Sequence, residues 1–234
     1  MPPKLVSRRV SPSNISLLDA VAGVEPGAVS LHAMDLDAAG YECMARFLTE
    51  RGELLRILKI RPGSRFYEYG DLQGVDFATH CPNLKTLDVK RVTFNGSVFA
   101  HPVLKDLRLQ ESKYVGDPRI TVGEAQRLRK LEFDDCHVKA DTLAVAPESQ
   151  LKIFQYFLDE DYAEACPNHF EILGTRLEEI TINACWAYTV TTNRASQRRN
   201  KYRTFRAGRY GSVTHIYYLG SGEKLVSHYE SQDG

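Results

Sequence analysis

Apolar side chains recur along this chain in one frame: an apolar residue, two spacers, an apolar residue, one spacer and a third apolar residue. The instances are Leu31/Met34/Leu36, Leu55/Leu58/Ile60, Leu84/Leu87/Val89, Leu104/Leu107/Leu109, Leu128/Leu131/Phe133, Leu151/Phe154/Tyr156 and Leu177/Ile180/Ile182. Their starts lie 24, 29, 20, 24, 23 and 26 residues apart. A single spacer between two inward positions is the alternation of a β-strand, so each instance predicts one short strand followed by a return segment. No such unit buries its apolar face alone, so neighbours must stack. Ser11-Pro12-Ser13-Asn14 before Ile15, Leu17, Leu18, Val21 and Ala22 predicts a capped helix covering the open end of the first unit, with Gly23 helping to stop it. Residues 37–48, with Tyr41, Met44, Phe47 and Leu48 on one face, predict a return helix that Arg51-Gly52 ends. The returns 93–102 and 114–127 predict turns or a single helical turn, and 139–143 and 161–166 short helices. Past Cys185 the pattern changes. Val213/Ile216/Tyr218 restates the frame, whereas 204–209 and 212–219 around Gly211 read equally well as a β-hairpin. Either forms a terminal cap, with 227–234 frayed beyond it.

A period of about 20–29 residues built on L-x-x-L-x-L is the sequence sign of a leucine-rich-repeat solenoid. Leu128 to Cys136, continuing through Val138 to Leu143, resembles the cysteine-containing repeat class, L-x-x-L-x-L-x-x-C-x-x-[IV]-x-x-x-x-L. Leu177, Ile180, Ile182 and Cys185 keep the same frame. Ala78-Thr79-His80-Cys81-Pro82-Asn83-Leu84 resembles the A-x-x-C-P-N-L junction between units of that class, and Ala165-Cys166-Pro167-Asn168 is a looser copy. The class is known from the substrate-receptor half of F-box proteins and related adaptors. The resemblance covers roughly residues 28–190. It implies an α/β fold with a curved parallel sheet on the concave face and short helices, turns and loops on the convex one. Val92, Ser112 and Asp159 stand where other units would carry the cysteine. Residues 1–27 are too short for an F-box and lack its Leu-Pro opening, so a ubiquitin-ligase docking role is not carried over. The expected organisation is a capping segment over 1–27, about seven irregular units over 28–190, and a basic loop with a strand or hairpin cap over 191–234.

Lys plus Arg and Asp plus Glu balance at 30 each, so no global field points to nucleic acid or an anionic membrane. No apolar window has the ~20 residues of a spanning helix, nor does the start carry a signal peptide's central region. The 5 cysteines, an odd number and never spaced C-x-x-C, argue against a disulfide framework and a zinc site. A soluble intracellular protein, cytoplasmic by default, is expected. Cys136 and Cys185 sit where the repeat turns inward. There a thiol fills core space and meets backbone carbonyls, and this reading outweighs a catalytic cysteine.

Function is expected on the strand residues between the inward positions. The single spacer gives one column, Asp35, Lys59, Asp88, Arg108, Glu132, Gln155 and Thr181. A second lies two residues on: Arg61, Lys90, Gln110, Asp134, Phe157 and Asn183. Early units are rich in cations and later ones in carboxylates, a bipolar face that either orients an oppositely patterned partner or is simply a solvated sheet. Ile153 to Leu158 is apolar on both alternations. Phe157 is therefore an exposed binding anchor, or else a register shift buries it in place of Tyr156. The expected partner-binding residues are Lys59, Arg61, Asp88, Lys90, Arg108, Glu132, Asp134, Gln155 and Phe157.

A second constellation, over 194–210, interleaves Arg198, Arg199, Lys201, Arg203 and Arg206 with Tyr202 and Phe205. It either tracks a phosphate backbone with rings stacked on bases, docks on the acidic units before it, or is a solvated loop. No phosphate loop, H-E-x-x-H or G-x-S-x-G occurs, and Asp134-Asp135 beside His137 falls in a repeat turn where capping explains it. The sequence thus predicts a non-enzymatic protein-interaction adaptor without cofactor or metal, monomeric or within a hetero-complex. A nucleic-acid-associated protein is the alternative.

Overall fold

Parallel strands, formed where the apolar frame recurs, dominate the computed structural model, which describes residues 5–11, 24–63, 68–123, 127–158, 166–184, 187–193, 202–207, 212–219 and 224–230. In chain order, β1 (Val6–Val10) and β2 (Val29–Leu36) precede helix α1 (Ala38–Arg51), and β3 (Leu55–Pro62) and β4 (Gly70–Asp71) precede α2 (Phe77–His80). Next come β5 (Thr86–Lys90), β6 (Val92–Phe94), β7 (Asp106–Gln110), β8 (Lys113–Tyr114) and β9 (Arg119–Val122). β10 (Lys130–Asp134), β11 (His137–Val138), β12 (Thr142–Val145), β13 (Ile153–Phe157) and β14 (His169–Ile172) follow. The chain continues through β15 (Glu179–Ala184), β16 (Tyr188–Asn193), β17 (Tyr202–Ala207), β18 (Ser212–Tyr218) and β19 (Lys224–Glu230). This is an α/β fold with mostly parallel sheets and 13% helix among the described residues.

Three sheets take successive strands in turn. The largest runs β1-β2-β3-β5-β7-β10-β13-β15-β17, the second β11-β8-β6-β4, and the third β19-β18-β16-β14-β12-β9. Among the described residues every pairing is parallel except β18 with β19. In the nine-stranded sheet Leu58, Leu87, Leu107, Leu131, Phe154 and Ile180 form one row. Ile60, Val89, Leu109, Phe133, Tyr156 and Ile182 form the next inward row, and all twelve side chains are 0–1% exposed. Aromatic rings link the later strands through the core: the Phe133 ring lies 5.9 Å from Phe99 and 5.5 Å from Tyr156, and Tyr156 lies 5.1 Å from Phe170.

The first instance of the frame is out of phase with the rest. Leu31 pairs with Leu58 and Ala33 with Ile60, so Val29, opposite Leu55, opens the unit in place of Leu31. A register irregularity between Ala33 and Leu36, with Asp35 at φ 55, absorbs the difference. His32 therefore takes the column position expected of Asp35.

The return segments also differ from expectation. Residues 142–145 are strand, not helix, and 119–122 are strand, not turn. The cause is β-alternation in both: Ile120 and Val122, and Leu143 and Val145, are buried on one face with β-branched neighbours between or beside them. α1 forms as predicted, its Gly40 N–H donating to Asp37 Oδ1 at 2.8 Å. Residues 12–22 of the expected N-terminal helix and 161–165 of the expected helix over 161–166 lie outside the described residues. At the far end, β17 pairs in parallel with β15 and β18 with β16, so the hairpin forms from β18 and β19 and not from 204–219. Residues 227–230, expected to fray, are held in that hairpin.

Where each central strand ends, Arg91, Glu111 and Asp135 adopt φ of 54, 41 and 51°. Their N–H groups donate to Gln110, Asp134 and Phe157 carbonyls one strand further on, which holds a conformation that side chains disfavour. The bend drives the next residue inward: Val92, Ser112 and Cys136 are all 0% exposed. Cys136 donates to the Leu109 carbonyl at 3.1 Å, and burial pushes its thiol pKa up to about 12. Ser112 does the same work, donating to Gln110 O at 2.6 Å while accepting from Val92 N–H at 3.2 Å. Ser112→Ala leaves that buried N–H unpaired and is expected to cost about 1–3 kcal/mol. Urea unfolding checks it, and a loss within experimental error would show the hydroxyl to be dispensable. Cys185, expected to turn inward likewise, lies outside the described residues.

Candidate functional site

Alternation places the residues between the two inward rows on the opposite face of the nine-stranded sheet. Registers align them as Arg9, His32, Lys59, Asp88, Arg108, Glu132, Gln155, Thr181 and Thr204. The parallel row runs Lys90, Gln110, Asp134, Phe157, Asn183 and Arg206. Arg61, one residue beyond Ile60, lies past the positions at which β3 pairs with β5, and its guanidinium donates to the Asp88 carbonyl and carboxylate. The face therefore brings all nine expected partner-binding residues together. Tyr156 is 0% exposed and Phe157 half-buried, which settles the register: Phe157 stands on the polar face between Asp134 and Asn183.

The charges interleave more finely than a count along the chain indicates. Lys59, Asp88, Arg108 and Glu132 alternate in sign on adjacent strands. Arg61 meets Asp88 at 2.7 Å, Arg108 meets Glu132 at 3.0 Å and Asp134 at 3.5 Å, and Lys130 meets Glu132 at 2.9 Å. Gln110 donates to Asp134 at 2.9 Å. Glu111 holds Lys90 and Arg91 at 2.5 Å each. Burial opposes its ionisation, but these two cations keep its carboxyl below the usual range. The bipolar face is thus a neutralised lattice, because strand register sets Asp88 between two cations. The cations of these pairs stay partly exposed while Glu132 is buried, so the pairs order the face more than they stabilise it. They fix the side chains that frame Phe157.

A row that sequence reasoning missed runs beside this face. The residue after the first leucine of each unit is Arg56, Lys85, Lys105, Arg129 and Lys152, five cations in succession before Glu178. Their backbones form one ladder: Lys85, Lys105, Arg129, Lys152 and Glu178 each donate an N–H to the preceding member's carbonyl at 2.7–2.8 Å. The signal was in the sequence, as Leu-Arg or Leu-Lys at the start of five consecutive frames.

Of the basic segment, Arg203 and Arg206 lie exposed on β17, whereas Arg198, Arg199 and Lys201 lie outside the described residues. Phe205 is packed against the core with its ring 5.4 Å from that of His215, so it is no free stacking platform.

Elsewhere, an open groove of about 480 Å³ is lined by Asp76, Ser97, Tyr114 and Arg119 among others. Its polar groups are engaged locally. Asp76 accepts from the N–H groups of Ala78 and Thr79, Tyr114 donates to Asp117 O, and Arg119 pairs with Glu171. Among the described residues no group of three His, Cys, Asp or Glu converges as a metal site, and no helix is long and apolar enough to cross a membrane.

His32, His101, His137 and His215 are all held below the ordinary imidazole pKa, burial being the largest cause in each. At His101, Nδ1 accepts from Val103 and Leu104 N–H at 3.3 and 3.1 Å, leaving Nε2 to donate to Cys81 O at 2.9 Å. The unfolded chain therefore binds protons near pH 6.5 that the folded chain does not. This contribution to stability is complete above about pH 6.5 and is lost as the pH falls from there toward the folded pKa values. Urea unfolding between neutral and mildly acidic pH is expected to show declining stability. A flat or rising profile would contradict the neutral assignment.

Comparison with protein-family models, curated proteins and solved structures finds no match for this chain.

Proposed function

We propose that the chain is a leucine-rich-repeat solenoid, similar to the cysteine-containing class, that acts as a non-enzymatic adaptor. Its concave face is the polar face of the nine-stranded sheet, and it holds a partner protein there. The observation that carries this reading is Phe157, an aromatic ring on a mostly polar face, set in a frame of fixed charges. A rigid ring surrounded by ordered polar groups is the usual form of an interface anchor. The Arg108, Glu132 and Asp134 cluster beside it gives orientation more than affinity. Free thiols at Cys43, Cys81, Cys136 and Cys166 favour a reducing, intracellular setting.

The test is substitution of Phe157 and Arg108 followed by a binding measurement on the captured partner. Loss of binding with folding retained supports the reading, and unchanged binding refutes it. Exposed Arg203 and Arg206 keep nucleic acid as the competing outcome. It would appear as affinity falling steeply with salt and vanishing when the cations of 198–206 are neutralised.

A further inference from the structure

The basic ladder beside the polar face is unexplained by folding. Among the described residues, Arg56, Lys85, Lys105, Arg129 and Lys152 stack in register on consecutive units, and each follows a leucine that is 0–2% exposed. Lys152 pairs with Glu178 at 2.8 Å, which closes the row. Lys85 is instead surrounded by cations. Arg56 beside it is the main cause of a lowered ammonium pKa, with desolvation, Lys105 and Arg127 adding to the effect. Like charges held on adjacent segments repel one another. Such a row is at odds with stability alone and points to an anionic partner.

We propose that this ladder binds the acidic face of an α-helix in a partner protein. Neighbouring strands lie about 4.8 Å apart, so five cations span about 19 Å. A helix rises about 5.4 Å per turn. One carboxylate per turn therefore drifts only about 0.6 Å per strand, or about 2.4 Å across the row, well within the reach of flexible Lys and Arg side chains. An acidic extended strand repeats a face every ~6.8 Å and slips out of register within two or three cations. A single-stranded nucleic acid would draw on stacking rings. The positions next along from the ladder are instead Thr86, Asp106, Lys130, Ile153 and Glu179, with no ring and two carboxylates. The ladder is distinct from the Phe157 surface, so either site can fail without the other.

The experiment is fluorescence anisotropy with the full chain and a labelled helical peptide carrying one Glu per turn on a single face. The comparisons are the same peptide with Gln in place of Glu, an isomer with its Glu residues spread around the helix, and single-stranded and duplex oligonucleotides of equal charge. The one-faced peptide is expected to bind most tightly, with affinity falling as salt rises. The double variant Lys85→Gln/Lys105→Gln is expected to weaken it by roughly tenfold or more. Both changes relieve cation crowding, so folding is expected to persist, with Arg129→Gln/Lys152→Gln as an independent second pair. Equal binding of the spread isomer, tighter binding of an oligonucleotide, or insensitivity to both double variants would each overturn the proposal.

Discussion

Phe133→Ala is expected to destabilise the chain by about 3–5 kcal/mol, the most damaging single truncation considered. Phe133 is 0% exposed, and its ring bridges Phe99 and Tyr156 at 5.9 and 5.5 Å. It occupies the inward row held by Leu109 on one side and Tyr156 on the other, with strand backbones pinned in parallel register on both. Because hydrogen bonds fix the strand spacing, the neighbours cannot close on the space the ring leaves. The cost is then transfer of the ring plus an unfilled cavity. Urea unfolding with the midpoint and slope both fitted reads the change directly. A loss under about 1 kcal/mol would mean that this part of the interior is not packed as described.

The second large effect is on binding. Phe157→Ala is expected to weaken the partner by at least about 2 kcal/mol, roughly thirtyfold, the threshold that marks an interface anchor. Arg108→Ala is expected to act less strongly, since its side chain is 42% exposed and already shared between Glu132 and Asp134. Both residues face away from the two inward rows. Unfolding free energy should therefore change by no more than about 1 kcal/mol in either variant. Binding loss in parallel with unfolding would assign Phe157 to the core and remove the case for an anchor.

Much of this architecture was legible in residue spacing. Six of the seven apolar frames fall in register on the nine-stranded sheet, and the second expected column holds from Lys90 to Asn183. The first frame misled because Met34 and Leu36 imitate the pattern, whereas Val29, Leu31 and Ala33 carry the pairing across a register irregularity. Small Ala33 gave too weak an apolar signal to set the phase. The third sheet was readable in Ile120/Val122, Leu143/Val145 and Phe170/Ile172, pairs too short to stand out beside the longer frame. Charge interleaving was not readable by counting. Which cation meets which carboxylate depends on strand order and register, properties of pairing rather than of sequence neighbourhood. Ser112 shows the complementary case: a departure from the cysteine pattern that preserves its chemistry, a small inward donor to a backbone carbonyl.

The central claim is that the polar face around Phe157 holds a protein. Its most direct test is affinity capture from the native cell type with nuclease present, run side by side with the wild-type chain and the Phe157→Ala/Arg108→Ala variant. The expected result is a stoichiometric protein partner that survives nuclease with the wild type and is lost with the variant. A partner retained equally by both chains, or one that disappears on nuclease treatment, would contradict it.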